Sequence, residues 1–270
     1  MSVDTGNTGS ALGYMPQFGL AHLAALLAIL AAGTAATLLA RRARGSAQAT
    51  ARAEAWLRRF GWLLLIVALA WQLWNMLPRN WDTGHSLPLH FSDGLRIITA
   101  LALITRAGLP TTVSFYWGLT LNLQAIVTPD LHYFTWPPLD YTLFWFFHGA
   151  ALVGPVVLVW GLGYRPSWRG FGAAYAATAL WSAFAFAVNL LLGTNYGYLN
   201  HAPNVPSLLD LLGPWPQYLL WEAVIVAAVW AAMTWPFTTA RMRAGTRPIG
   251  RRGLMRRTVP GACSGVDSRV

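Results

Sequence analysis

The chain has no lysine, one cysteine and very little charge. All 19 of its Lys/Arg positions are arginine, and charged residues make up only 10% of 270 positions, too few to cover a soluble domain of that size. The single cysteine, Cys263, lies in an arginine-rich tail. That position excludes an intramolecular disulfide and leaves no thiol for a membrane-embedded site. There is no GxSxG elbow, no HExxH helix, no phosphate-cradling glycine loop and no His/Cys cluster at metal spacing. His85 and His90 are five apart and would fall on different helical faces, so no metal and no soluble cofactor is expected. Nucleic-acid motifs are missing too, and the net charge of +10 reads as membrane topology and contact with anionic lipid headgroups.

What the chain has is hydrocarbon: 56% of its residues are hydrophobic. Apolar runs at 18–40, 60–78, 86–106, 110–129, 140–163, 169–193 and 214–237 are each long enough to cross a ~30 Å hydrocarbon core as a helix. The expectation is an all-α, polytopic bundle of about seven transmembrane helices in the cell membrane. The first run has no basic leader and is longer than a signal-peptide core, so it reads as a retained span.

Arginine placement orients the bundle. Arg41, Arg42, Arg44, Arg52, Arg58 and Arg59 follow the first run, Arg106 the third, Arg165 and Arg169 the fifth, and eight more the seventh. The positive-inside rule makes that face cytoplasmic and puts the amino terminus outside. Residues 1–17 then form an extracytoplasmic segment, 18–237 the membrane domain, and 238–270 a basic cytoplasmic tail. The tail buries too little to fold and is suited to anionic lipid. Residues 44–55 read as a polar linker or short interfacial helix, and the proline-rich loops 127–140 and 195–220 as rigid outer caps.

Several spans carry polar side chains where hydrocarbon is the rule: His90, Ser92, Asp93, Arg96, Asn122, Gln124, His148, Asn189 and Glu222. An ionisable group costs roughly 2.5–3.5 kcal/mol at mid-membrane, so such residues mark sites or pathways. At 1.5 Å per residue, Ser92 falls about 9 Å, and His148 and Glu222 roughly 12 Å, below the outer ends of their spans. Asn122 and Asn189 fall in the same layer, and Gln72 and His22 could join it. Around span three, His90, Ser92, Asp93 and Arg96 share an arc of about 160°. Asp93 and Arg96 are three apart and can pair, either as a structural ion pair or as part of a site. His148, in LFWFFHGAALVG, is either a histidine bonded across the bundle or a general base, with Ser92 the hydroxyl nearest in depth.

The segments LPLHFSDG (87–94), YWGLTLNLQAIVTPDL (116–131), FFHG (146–149) and NYGYLN with SLLDLLGPWPQYLL (195–220) carry a family likeness. Over residues 60–237 the chain resembles the bacterial YwaF-like membrane proteins and their eukaryotic relatives, the transmembrane protein 164 family. That resemblance implies lipid acyl transfer through an acyl-enzyme on a cysteine, with membrane phospholipids and fatty acyl chains as partners. It is similar in turn to androgen-induced-gene-type lipid hydrolases, which use a threonine and a histidine. The family cysteine falls at Ser92 and its histidine at His148, so the chain departs from the pattern at the nucleophile.

Two functional classes stand open at this point. One is a lipid acyltransferase or ester hydrolase with Ser92 as nucleophile and His148 as base, and with His90, Asp93, Arg96, Asn122, Asn189 and Glu222 as supporting groups. The other is a non-catalytic protein: a small-solute or proton-coupled carrier using Asp93, Arg96 and Glu222, or a scaffold derived from an enzyme.

Overall fold

Ser46 and Ser167 each sit in extended backbone and accept from the amide three residues on, Ala49 N at 3.4 Å and Gly170 N at 3.1 Å, so each starts a long helix. Gly193, with φ +67, ends the second of these in a left-handed cap. The computed structural model describes residues 15, 17–129, 131, 139–202, 211–238 and 247–248, and these are mostly helical. Most of the amino-terminal segment, most of the tail and the middles of both proline-rich loops lie outside the described residues.

The helices run α1 (Leu20–Ala43), α2 (Ala47–Asn75), α3 (Phe91–Thr105), α4 (Gly108–Leu119), α5 (Leu121–Val127), α6 (Leu139–Val156), α7 (Trp168–Leu192) and α8 (Gln217–Thr238). A π turn, Val157–Gly161, extends α6, and a two-residue strand, Tyr164–Arg165, pairs in parallel with Arg247–Pro248. Among the described residues four helices can cross a membrane by length and composition: α1, α6 with its π turn, α7 and α8. Their surfaces fit that use. Leu30 is 65% exposed, Leu180 72% and Leu220 70%, which in water would be an aggregation surface and in lipid is the normal outer face. The chain is an all-α membrane bundle.

Three expectations change. Of the two readings of 44–55, the helical one holds for residues 47–55, but they are the start of the long α2 rather than a separate short helix, because the alanine-rich stretch after Ser46 favours helix. The third run becomes helical only at Phe91, where His90 N donates to Asp93 Oδ2 at 3.1 Å and closes the first turn; residues 86–90 are a turn. Ser92 is therefore in the first turn of α3, not 9 Å along a span. The fourth run breaks into α4 and α5 at Thr120, whose backbone leaves the helix region (φ -129, ψ -77). Thr120 Oγ1 donates to Tyr116 O at 2.6 Å and accepts from Trp230 Nε1 at 3.1 Å, so the break is satisfied by its own side chain.

At the centre lies α3, packed against α2, α4 and α6, with Leu95, Thr99, Ala100, Ala102 and Leu103 buried. Glycines permit the close approaches. A Cβ on Gly61 would meet Leu103 Cβ at 2.9 Å, one on Gly154 would meet Thr99 Cγ2 at 2.9 Å, and one on Gly118 would overlap the Ala151 carbonyl. That carbonyl lies four residues before Pro155, which has no N–H to give it, and α4 comes close to it at Gly118.

Candidate functional site

A cavity of ≈ 230 Å³ opens between α2, α3, α5 and α6. Ser92 and Arg96 face it from successive turns of α3, Asn122 from α5 and His148 from α6. Trp71, Phe144 and Phe147 form an aromatic wall, and Leu95, Leu143 and Ala151 an aliphatic one. Leu131 also lines the cavity, and its carbonyl accepts from Met15 N at 2.8 Å. Asp140 lines it from the first turn of α6, about 12 Å along the helix from His148.

His148 is held at two points by one side chain. Asn122 Nδ2 donates to the His148 carbonyl at 3.0 Å, and His148 Nδ1 lies 2.7 Å from Asn122 Oδ1. A backbone carbonyl can only accept, so the amide nitrogen must face it, and Oδ1 is thereby turned to the ring. Nδ1 then carries the proton, and the basic lone pair of the neutral imidazole is on Nε2. The ring packs against Phe144 with centroids 4.3 Å apart, which fixes its plane. Asn122 is 3% exposed, so water competes little for either bond.

Ser92 Oγ has no hydrogen-bond partner among the described residues and no direct bond to His148. Its position in the first turn of α3 has its own consequence. The amides of Phe91 and Ser92 precede the first intrahelical bond and have no acceptor among the described residues, so the hydroxyl lies at the positive end of the helix.

Arg96 is 7% exposed. Its Nη2 bonds Asp93 Oδ1 at 3.1 Å and Gln72 Oε1 at 2.9 Å, and its guanidinium lies 5.1 Å from the Phe147 ring centre. Gln72 Nε2 in turn donates to Ser86 O at 2.7 Å. Asp93 touches the site only through Arg96.

The remaining candidates lie elsewhere. His90 caps α3, with its ring edge-on to Tyr196 at 5.0 Å. Asn189 is a loop clasp: Nδ2 donates to Tyr196 O and Asn200 Oδ1, and Oδ1 accepts from Thr194 Oγ1 and Tyr196 N, all between 2.8 and 3.0 Å. With both donors and both lone pairs spent, it has nothing left for a substrate. Glu222, on α8, does not line the cavity, and Gln124 is exposed. His22 ties α1 to α5, its Nδ1 accepting from Phe18 N and its Nε2 donating to Ile126 O, both at 2.8 Å.

The TMEM164 family model matches residues 17–234, a stretch that contains every residue lining the cavity. The chain belongs to the TMEM164 family. As a TMEM164-family membrane protein it carries serine at position 92 and histidine at 148, both within the matched region. No curated protein and no solved structure matches the chain. Among the described residues no group of His, Cys, Asp and Glu is placed to hold a metal ion. Trp71, Phe144 and Phe147 were not singled out in the sequence, since aromatics on a membrane helix look alike whether they face lipid or a cavity. Asp140 was not among the candidate residues there either.

Proposed function

We propose that this TMEM164-family protein is a cell-membrane enzyme of lipid ester chemistry, seven-spanning with its arginine-rich face cytoplasmic, that forms an acyl-serine at Ser92. The observation that carries the reading is that Ser92 and His148 line one cavity while Asn122 holds His148 in the tautomer whose Nε2 can accept a proton. Nε2 takes the hydroxyl proton as Ser92 Oγ bonds to the acyl carbonyl carbon, whose oxygen becomes an oxyanion. The free first-turn amides of α3 are suited to that charge. Collapse breaks the ester C–O bond, and Nε2 returns the proton to the departing alcohol. Water or a lysolipid hydroxyl then attacks the acyl-serine, giving hydrolysis or transfer respectively.

A carrier needs polar groups that continue past Arg96. In the next turns the polar side chains bond to one another across helices instead, Thr99 to Ser114 at 2.9 Å and Tyr116 to Thr234 at 2.6 Å. That pattern supports the enzyme reading.

The test is covalent labelling of the purified protein with a serine-directed fluorophosphonate. Wild type should label, Ser92→Ala should not, and Ser92→Cys should shift reactivity to thiol-directed probes. Equal labelling of wild type and Ser92→Ala removes Ser92 as nucleophile.

A further inference from the structure

Arg96 lines the cavity with bonding capacity that the fold leaves unused. A guanidinium has five N–H donors, and here only those on Nη2 are engaged. Nε is buried without a partner, and Nη1 has none among the described residues. The neighbouring acceptors are already divided: Asp93 gives its second oxygen to His90 N at 3.1 Å, and the Gln72 carbonyl oxygen is taken by Nη2. Asp140, the carboxylate that lines the cavity, is exposed and makes no ion pair with Arg96. A desolvated cation with open donors beside an empty space is the arrangement that binds an anion, because unpaired donors are costly in a low dielectric and oxyanions match the guanidinium fork.

We infer that Arg96 anchors an oxyanion subsite, in which a carboxylate or phosphate oxygen of an amphiphile accepts from Nη1, the unpartnered nitrogen that is not buried, while its chain lies along Trp71, Phe144 and Phe147. This rests on the reading of the cavity as a lipid site. Ser92 and Arg96 are four apart on α3, so they rise from one face of the helix one turn, about 6 Å, apart along its axis, and the anion and the nucleophile share that face. Arg96 is in this sense a positioning residue that sets where along a lipid the ester carbonyl lies. The partial positive charge at the start of α3 adds to the attraction.

The experiment measures binding, not turnover. The Ser92→Ala full chain in dodecyl maltoside, which carries no anion, is titrated with oleate, 1-oleoyl-lysophosphatidylcholine and monooleoylglycerol. At least one of the two oxyanion ligands should bind about ten- to hundred-fold more tightly than the neutral glyceride, the range expected of a charge-assisted hydrogen bond. Arg96→Gln on that background should remove the difference and leave monooleoylglycerol binding unchanged. Preference for oleate assigns the subsite to a carboxylate, and preference for the lysolipid to a phosphate. Equal affinity for all three ligands, or a preference that survives Arg96→Gln, overturns the subsite. If Arg96→Gln does not fold, the three-ligand comparison on Ser92→Ala alone decides. Because nothing turns over, an inactive Ser92 leaves the outcome standing, so the two readings fail separately.

Discussion

Asn122 grips His148 through both ends of one amide, its nitrogen on the backbone carbonyl at 3.0 Å and its oxygen 2.7 Å from ring Nδ1. The two contacts lock each other. Rotating the amide to suit one partner would break the other, so the ring tautomer follows from backbone geometry. This places Asn122 as the residue that orients the base.

Asn122→Ala should lower kcat for lipid ester turnover about ten- to hundred-fold, the equivalent of about 1.5–3 kcal/mol of lost hydrogen bonding to the imidazolium that forms, with a smaller change in KM. Asn122→Asp, which keeps an acceptor for Nδ1, should retain more activity than alanine. Steady-state kinetics of the two variants check this, and equal loss in both would show that Asn122 serves packing alone.

Asn189 makes the opposite prediction. Its four bonds tie the end of α7 to the loop that carries Tyr196, so Asn189→Ala should cost about 1–3 kcal/mol of stability while leaving turnover per folded molecule unchanged. Thermal unfolding in detergent, alongside activity normalised to folded protein, separates the two effects. A kcat loss without a stability loss would return Asn189 to the site.

Two glycines should respond with opposite signs. Gly118→Ala drives a methyl into the Ala151 carbonyl and toward Pro155 Cγ at 3.1 Å, so α4 and α6 must part, at a cost of about 1–3 kcal/mol. Gly172→Ala, on α7 with nothing within 4 Å of the added carbon, should be neutral or stabilising by about 0.5–1 kcal/mol. Comparing their melting temperatures with wild type tests the packing at the α4–α6 contact.

Orientation can be read from cysteine accessibility. In a Cys263→Ser background, Thr83→Cys in the turn after α2 should react with a membrane-impermeant maleimide in intact cells, whereas Gly45→Cys between α1 and α2 should react only after permeabilisation. The reverse pattern would invert the bundle and place the cavity on the cytoplasmic side.

Much of the fold was legible because membrane burial leaves a simple signature. Uninterrupted apolar length gives a helix, which is why α1, α6, α7 and α8 lie close to where the hydropathy puts them. Breaks were harder to read. Thr120 ends α4 through a bond to its own turn and another to Trp230, 110 residues away, a partnership with no local mark. The start of α3 was misplaced because LPLH reads as apolar span, whereas the Asp93 carboxylate caps the helix only at His90.

The chain by itself determined that this is a helical membrane bundle and that a few polar residues resist the hydrocarbon, since the cost of burying charge in lipid is set by composition and length alone. It could not sort those residues, because depth along a helix does not fix the direction in which a side chain points. Packing of α2, α5 and α6 around α3 made that choice. It brought Ser92, Arg96, Asn122 and His148 to one cavity, turned Asn189 into a loop clasp and left Glu222 outside. The helix contacts that decide this depend on where glycines let two backbones approach, and those approaches are relations between segments, not properties of any one of them.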